Sequence, residues 1–305
     1  MIGRVAVVGA TGFVGTAVVE RLRHRGVEAF GVAAPRVSGT LGAAAPSDAA
    51  VTAVVDTIAG AACVVNAAGL AEATAGGHAE LDGANGLMPG LLARACSRLG
   101  VRLVHVSSAA VQGGLPLDSS QRYAPFSPYS RSKVIGEQSV LAIPGEVCVV
   151  RPPGVHSPTR SVTRSIMALA RSPFSTVAAP GTDNAPQAQL VNVADAIAFL
   201  AVHDGPAPRI IHLPAEGITT TDLLTFLGDR PPLAVPRFLA RAAVTAARSL
   251  GTVSGGLAGH ARRLDVLWFG QPQAHSWLTD AGWAPPMGIE GWRHMTAAPD
   301  RQDHR

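Results

Sequence analysis

Continuous apolar runs alternate with alanine-rich stretches of helical length through the first half of the chain. Residues 4–8, 28–33, 62–66, 101–106 and 146–151 are short Val-, Ala- and Leu-rich runs. They are mostly apolar rather than alternating, as strands buried on both faces of a parallel sheet should be. Strands that alternate with helices at this spacing predict an α/β class and a doubly wound parallel sheet. Residues 34–50 are weakly patterned. Beyond Arg151 the chain changes character: Pro152, Pro153, Pro158, Pro173, Pro180 and Pro186 cut it into short pieces. Apolar stretches resume at 190–203 and 209–213. A Pro-rich stretch from 231 leads to a helix at about 237–250, a Gly-rich link at 251–259 and a closing aromatic segment. Residues 297–305 are polar, and fraying is expected there.

A chain of 305 residues can bury a large core, as one α/β domain with a smaller appendage. Only 15% of residues are charged. Mean hydropathy is +0.24, yet alanine supplies much of it and no uninterrupted apolar stretch reaches spanning length. The N-terminus lacks a distinct basic leader. A soluble, cytoplasmic enzyme with no membrane contact is therefore expected. The net charge of +4, two tyrosines and four tryptophans offer neither a dense basic run nor a base-stacking surface, which argues against nucleic acid. Cys63, Cys96 and Cys148 are odd in number and lie in apolar contexts, so they read as small buried residues in a reducing compartment. The ten histidines show no ligand spacing, and no metal is predicted.

Candidate chemistry begins at residue 9. The strand 4–8 runs into Gly9-Ala-Thr-Gly12-Phe-Val-Gly15, and a helix follows from Thr16. Glycines in such a turn let backbone approach a pyrophosphate at a helix N-terminus. Tyr129 and Lys133 stand four apart, on one face of a helix that Ser127 can cap and Pro128 can start. An ammonium and a helix N-terminus both favour phenolate, so the tyrosine pKa is expected to fall from about 10 toward working pH. The same spacing also fits an ordinary helix with a solvated lysine. Ser108 ends an apolar strand at the carboxyl edge of the sheet, where open α/β folds bind ligands, with Ser107 as the alternative.

Together these residues resemble an extended short-chain dehydrogenase/reductase of the NAD(P)-dependent nucleotide-sugar epimerase/dehydratase family. The likeness rests on Gly9, Gly12 and Gly15, on Val-Asn66-Ala-Ala-Gly69, on Ser-Ser108-Ala-Ala-Val, on Tyr129-Ser-Arg-Ser-Lys133 and on Val-Arg151-Pro-Pro. Val-Asn-Val-Ala-Asp195-Ala and Ala-Gly-Trp283-Ala-Pro extend it almost end to end. The resemblance implies a Rossmann sheet over 1–153, with 187–213 returning to it, and a substrate-binding lobe from 154–186 and 214–305. It makes Ser108, Tyr129 and Lys133 catalytic. It places the cofactor on Gly9, Thr11, Gly12, Phe13, Val14, Gly15, Ala67, Ala68, Gly69, Pro152 and the same Lys133, with Arg36 beside it. It also implies a nucleotide-sugar substrate and a homodimer.

Departures from the family refine the reading. Ala109 and Ala110 stand where dehydratases carry an Asp-Glu pair, so sugar dehydration lacks its acid. Gln112 replaces a tyrosine, which is expected to alter the substrate-facing wall. Family members usually have a third strand within 34–50, which here looks abbreviated. Asn85 matches a core-stabilising asparagine, and Asp195 reads as an anchor for the returning helix. NAD enzymes hold the ribose 2′-hydroxyl with an acid at the end of the second strand, whereas this chain has Ala33 there and Arg36 just beyond. Glu28 comes too early to serve. NADP is favoured, with NAD possible. Arg237, Arg241, Arg248, Arg262 and Arg263 are rival candidates for a substrate phosphate. On the helix at 237–250, Phe238, Leu239, Ala242 and Leu250 form the side opposite the arginines. The leading expectation is a reductase of a nucleotide-linked keto-sugar or similar natural-product ketone. A nucleotide-sugar 4-epimerase with tightly bound NAD, and a catalytically silent dinucleotide-binding protein, are the alternatives.

Overall fold

A computed structural model describes residues 3–37, 47–71, 77–251 and 255–296. In chain order the first half comprises β1 (Arg4–Val8), α1 (Phe13–His24), β2 (Ala29–Val32), α2 (Asp48–Ile58) and β3 (Ala61–Asn66). It continues through α3 (Gly77–Leu81), α4 (Met88–Leu99), β4 (Arg102–Val106), α5 (Pro128–Leu141) and β5 (Val147–Arg151). Next come β6 (Gly154–His156), α6 (Ser161–Arg171), β7 (Thr176–Ala178), β8 (Gln187–Gln189), α7 (Leu190–Val202) and β9 (Ile210–His212). The chain closes with α8 (Thr220–Gly228), β10 (Leu233–Val235), α9 (Arg237–Gly251), α10 (Gly255–Phe269), α11 (Trp277–Asp280) and α12 (Ile289–Arg293).

All five predicted runs form strands of one parallel six-stranded sheet, ordered β2-β1-β3-β4-β5-β9. Their continuous apolar character follows from burial on both faces. Val5 and Val7 pack under α1 and α7, while Ala6 and Val8 pack under α2 and α4. No strand is found at 33–37, and β3 rather than a fourth strand leads to Asn66. The rest of the abbreviated segment, 38–46, lies outside the described residues, as do 297–305 and part of the Gly-rich link.

Strand order reverses at β1. The chain steps from β1 to β2 on one side, then to β3 on the other. Ligands of open α/β sheets sit beyond the carboxyl ends at such a switch point. The Gly9–Gly15 turn and the Asn66–Gly69 turn therefore flank one crevice.

Two small parallel sheets, β6-β8 and β10-β7, accompany a separate core of Ala170, Val177, Leu223, Leu224, Leu227, Leu267, Trp292 and Met295. Leu278 and Trp283 of the closing segment pack into the sheet core instead. Asp195 in α7 accepts hydrogen bonds from Arg21 and Arg25 at the end of α1 and from the Trp283 indole, so one carboxylate ties three segments together. The three cysteines are buried and free, and burial pushes the thiols of Cys63, Cys96 and Cys148 up to about 12. No helix among the described residues is long and apolar enough to cross a membrane.

Candidate active site

Helix α1 begins without a side-chain cap: Gly12 is its N-cap, and its first turn holds no acidic residue. The first N–H groups of a helix lack intrahelical partners, so this end presents donors and partial positive charge to an anion. Thr11, Gly12 and Phe13 are exposed there, with Val14 half-buried. The three glycines are required for different reasons. Gly9 has φ +81° and presses on the neighbouring turn, where an added Cβ would lie 2.8 Å from Ala68 N. A Cβ at Gly15 would overlap the Gly9 carbonyl. Two glycines thus serve the chain's own packing, while Gly12 meets nothing nearer than 3.2 Å and leaves room for a ligand. That open, uncapped N-terminus fits a dinucleotide pyrophosphate.

The opposite turn reaches helix α5. Ala67 N–H bonds the Val8 carbonyl, and Ala68 N–H bonds Asn66 Oδ1. The other end of that side chain, Asn66 Nδ2, donates to His105 Nδ1 at 3.1 Å, which leaves the proton of this buried imidazole on Nε2. Gly69 (φ +154°) lies so close to Asn85 and Lys133 that a Cβ would stand 2.6 Å from Asn85 Oδ1 and 3.1 Å from Lys133 Nζ. Asn85 joins the turn to α5 by bonding both Leu70 backbone groups and donating to Ser132 Oγ.

Ser127 caps α5 by accepting from Ser130 N–H at 3.1 Å, Ser130 Oγ accepts in turn from Ser127 N–H, and Pro128 occupies the first turn. Tyr129 therefore starts a well-fixed helix, half-buried, with Ser108 near enough to favour ionisation of its phenol. Ser107 faces elsewhere: it is buried and donates to Glu137 Oε1 at 2.5 Å. Lys133 is 6% exposed, and its Nζ donates to the Val106 carbonyl at 3.2 Å. Burial brings its pKa down to about 8 against the pull of Glu137.

The expected lowering of the tyrosine pKa is overturned. Burial raises the Tyr129 pKa, and the influence of Ser108 and of the Arg160 charge only partly offsets it. The low-dielectric site penalises the phenolate more than the neighbouring groups favour it.

Comparison with known proteins places this geometry. Residues 5–211 match the NAD dependent epimerase/dehydratase family. The chain belongs to that family. Among curated relatives, dTDP-4-dehydrorhamnose reductase of Mycobacterium tuberculosis is 34% identical over 145 residues, 45% of this chain and 47% of the relative. The chain thus matches about half the length of that protein. Similar folds include dTDP-4-dehydrorhamnose reductase from Bacillus anthracis str. Ames in complex with NADP (TM-score 0.64, 16% identity, 97% of this chain and 98% of that one). UDP-glucose 4-epimerase from Thermus thermophilus in complex with NAD is another (TM-score 0.62, 20% identity, 96% and 97%).

Other family positions are placed as follows. Pro152 is buried, and its carbonyl accepts from Ala109 N–H at 2.8 Å. Arg36 is exposed past the end of β2 and has no ion pair among the described residues. Gln112 is fully buried and donates to Asp118, so it braces a loop and does not form the expected substrate wall. Arg151 is fully buried, paired with Glu137 at 2.6 Å and bonded to the Ser120 carbonyl.

The five rival arginines separate. Arg237 pairs with Asp183, and Arg248 and Arg262 share Asp265. Arg262 also bonds the Gly113 carbonyl, fastening α10 over the loop that follows Ser108. Arg241 is exposed, with its guanidinium 5.4 Å from the Phe269 ring centroid. Arg263 is exposed and lies within electrostatic reach of Arg160. Arg160 was not singled out from the sequence, and nothing in Pro158-Thr159-Arg160 distinguishes it from a loop arginine. Only the fold brings it onto the Phe13 ring, with Cζ 4.8 Å from the centroid.

Proposed function

We propose that this protein is an NADPH-dependent reductase of a ketone on a nucleotide-linked sugar, with Tyr129 as the proton donor. The observation that carries the reading is Tyr129 at the start of the capped helix α5 with Lys133 one turn on, buried against Gly69 and bonded to the Val106 carbonyl at the end of β4. The name of the curated relatives, dTDP-4-dehydrorhamnose reductase, supports this reaction class. The NADP bound in one solved neighbour supports the cofactor.

Gly9, Thr11, Gly12, Phe13, Val14 and Gly15 would receive the pyrophosphate; Ala67, Ala68, Gly69 and Pro152 would line the opposite side. Arg36 would meet the 2′-phosphate and Lys133 the ribose hydroxyls. When bound, the dinucleotide supplies the hydride. Ser108 donates to the substrate carbonyl oxygen and orients it, which favours the charge that develops there. Tyr129 gives its phenolic proton to that oxygen and later recovers one from solvent. Lys133 keeps positive charge near the tyrosinate. Ala109 and Ala110 offer no acid to expel a hydroxyl, so dehydration is disfavoured.

Mass spectrometry of the cofactor carried by the purified protein tests the reading. NADP(H), or an empty site that loads with NADPH, supports a reductase; tightly retained NAD+ overturns it in favour of an epimerase. A homodimer in the cytoplasm completes the proposal, and a monomer in sedimentation velocity contradicts the dimer.

A further inference from the structure

We propose that Arg160 is a further cofactor ligand, its guanidinium held on Phe13 so that its free N–H groups meet the dinucleotide's pyrophosphate at the start of α1. The inference rests on the reading that a dinucleotide occupies the Gly9–Gly15 turn.

The charges around the crevice leave a place for it. A dinucleotide's pyrophosphate carries a negative charge on each phosphate, yet neither residues 9–15 nor residues 66–71 include a lysine or an arginine. The uncapped start of α1 offers N–H donors and about half a positive charge. Helix α1 keeps its own arginines, Arg21 and Arg23, in its last turn, at the far end from the ligand. Arg36 is assigned to the 2′-phosphate, and Lys133, bonded to the Val106 carbonyl, to the ribose. A cation for the pyrophosphate has to come from another part of the chain.

Arg160 comes from the segment between β6 and α6. Its Nη1 donates to the Val155 carbonyl of β6, which fixes one corner of the guanidinium. One face of the group lies on Phe13, with Cζ 4.8 Å from the ring centroid. Phe13 is the first residue of α1 and is 38% exposed, so its ring holds the cation at the ligand end of that helix. An arginine laid on an aromatic ring keeps the edge of its planar fork available for phosphate oxygens. Arg160 Nε and Nη2 make no hydrogen bond among the described residues, and no carboxylate pairs with the group there. Arg21, Arg151, Arg237 and Arg262, which tie segments of the fold together, each reach a carboxylate. Arg160 is half-buried and has the like-charged Arg263 of α10 within electrostatic reach. A partly desolvated cation beside another cation, with no acid between them, is stabilised by an anionic ligand.

Cofactor fluorescence gives the Kd of NADPH and of NADH for wild type, Arg160→Ala and Arg160→Lys. Adenosine 2′-monophosphate, which lacks the pyrophosphate, is read by its competition with them. Arg160→Ala should weaken NADPH and NADH by the same factor, roughly ten- to hundredfold, and leave adenosine 2′-monophosphate unchanged. Arg160→Lys keeps the charge without the fork and should recover part of the loss. Equal weakening of both cofactors separates Arg160 from Arg36, whose removal should touch NADPH alone. Unchanged affinity for both cofactors overturns the proposal. So does an equal loss for adenosine 2′-monophosphate, which would mark a general disturbance of the site. Weaker uridine diphosphate binding at unchanged NADPH affinity also overturns it, and would assign Arg160 to the substrate's diphosphate. If wild type binds NADH and not NADPH, the reductase reading fails while the NADH titration still decides the role of Arg160. A wild type that binds neither cofactor overturns both.

Discussion

Tyr129 is held between opposing effects: burial favours the protonated phenol, and Ser108 and Arg160 favour its release. A donor that stays protonated through neutral pH suits an acid in a reduction. Tyr129→Phe should keep the fold and cofactor binding yet lower kcat on the order of a hundredfold or more; a near-wild-type rate would contradict the assignment. Lys133 supplies the pH dependence. With its pKa near 8, the ammonium is present below that pH and lost above it. As kcat/KM reports the free enzyme, the value for NADPH should be flat below about 8 and fall as pH rises through it. Lys133→Met should abolish that limb. Arg36→Ala should weaken NADPH by roughly 1.5–3 kcal/mol and leave NADH nearly unchanged; fluorescence titration of both cofactors decides it. The i,i+4 spacing and the serine before Pro128 made Tyr129 and Lys133 legible in the sequence. Arg160 was not legible, because it comes onto Phe13 only through the path of β6 and the start of α6.

The strands were the most legible elements, since burial on both faces writes an unbroken apolar run whatever the neighbours are. Helix α9 shows the limit. Its apolar positions pointed to Phe238 and Leu239 as the packed side, but these are 71% and 51% exposed, and Ala240 and Val244 form the seam instead. Which stripe of a helix is covered depends on where its partner lies, here α10. Two ion pairs bind elements together and yield predictions. Arg151 and Glu137 join β5 to α5 with both side chains fully buried. Arg151→Met strands the Glu137 carboxylate and should destabilise by about 3–5 kcal/mol in denaturant unfolding; a change under about 1 kcal/mol would show the pair is not isolated from water. For Asp195, burial opposes ionisation, but the bonds from Arg25, Arg21 and Trp283 together hold its pKa below the usual carboxylate value. A depressed folded pKa gives stability that is complete above the unfolded pKa of about 3.9 and is lost as pH falls through the folded value. Melting temperature should therefore drop on acidification below about pH 4, with a shallower drop in Asp195→Asn.

At the scale of the molecule, the reversal of strand order at β1 sets two turns on either side of a crevice, and β6 with α6 and α10 brings the substrate lobe to its edge. The sequence conveyed the crevice, because its turns carry glycines at required spacings. It did not convey how the lobe meets it, because that contact joins residues far apart in the chain, such as Arg262 and Gly113. What this assembly does to a ketone is tested most directly by product mass and cofactor balance with nucleotide-linked keto-sugars. The account predicts one NADPH consumed per sugar and a product two hydrogens heavier than the substrate, with both lost in Tyr129→Phe. A product of unchanged mass formed without net NADPH consumption would contradict it and identify an isomerising enzyme instead.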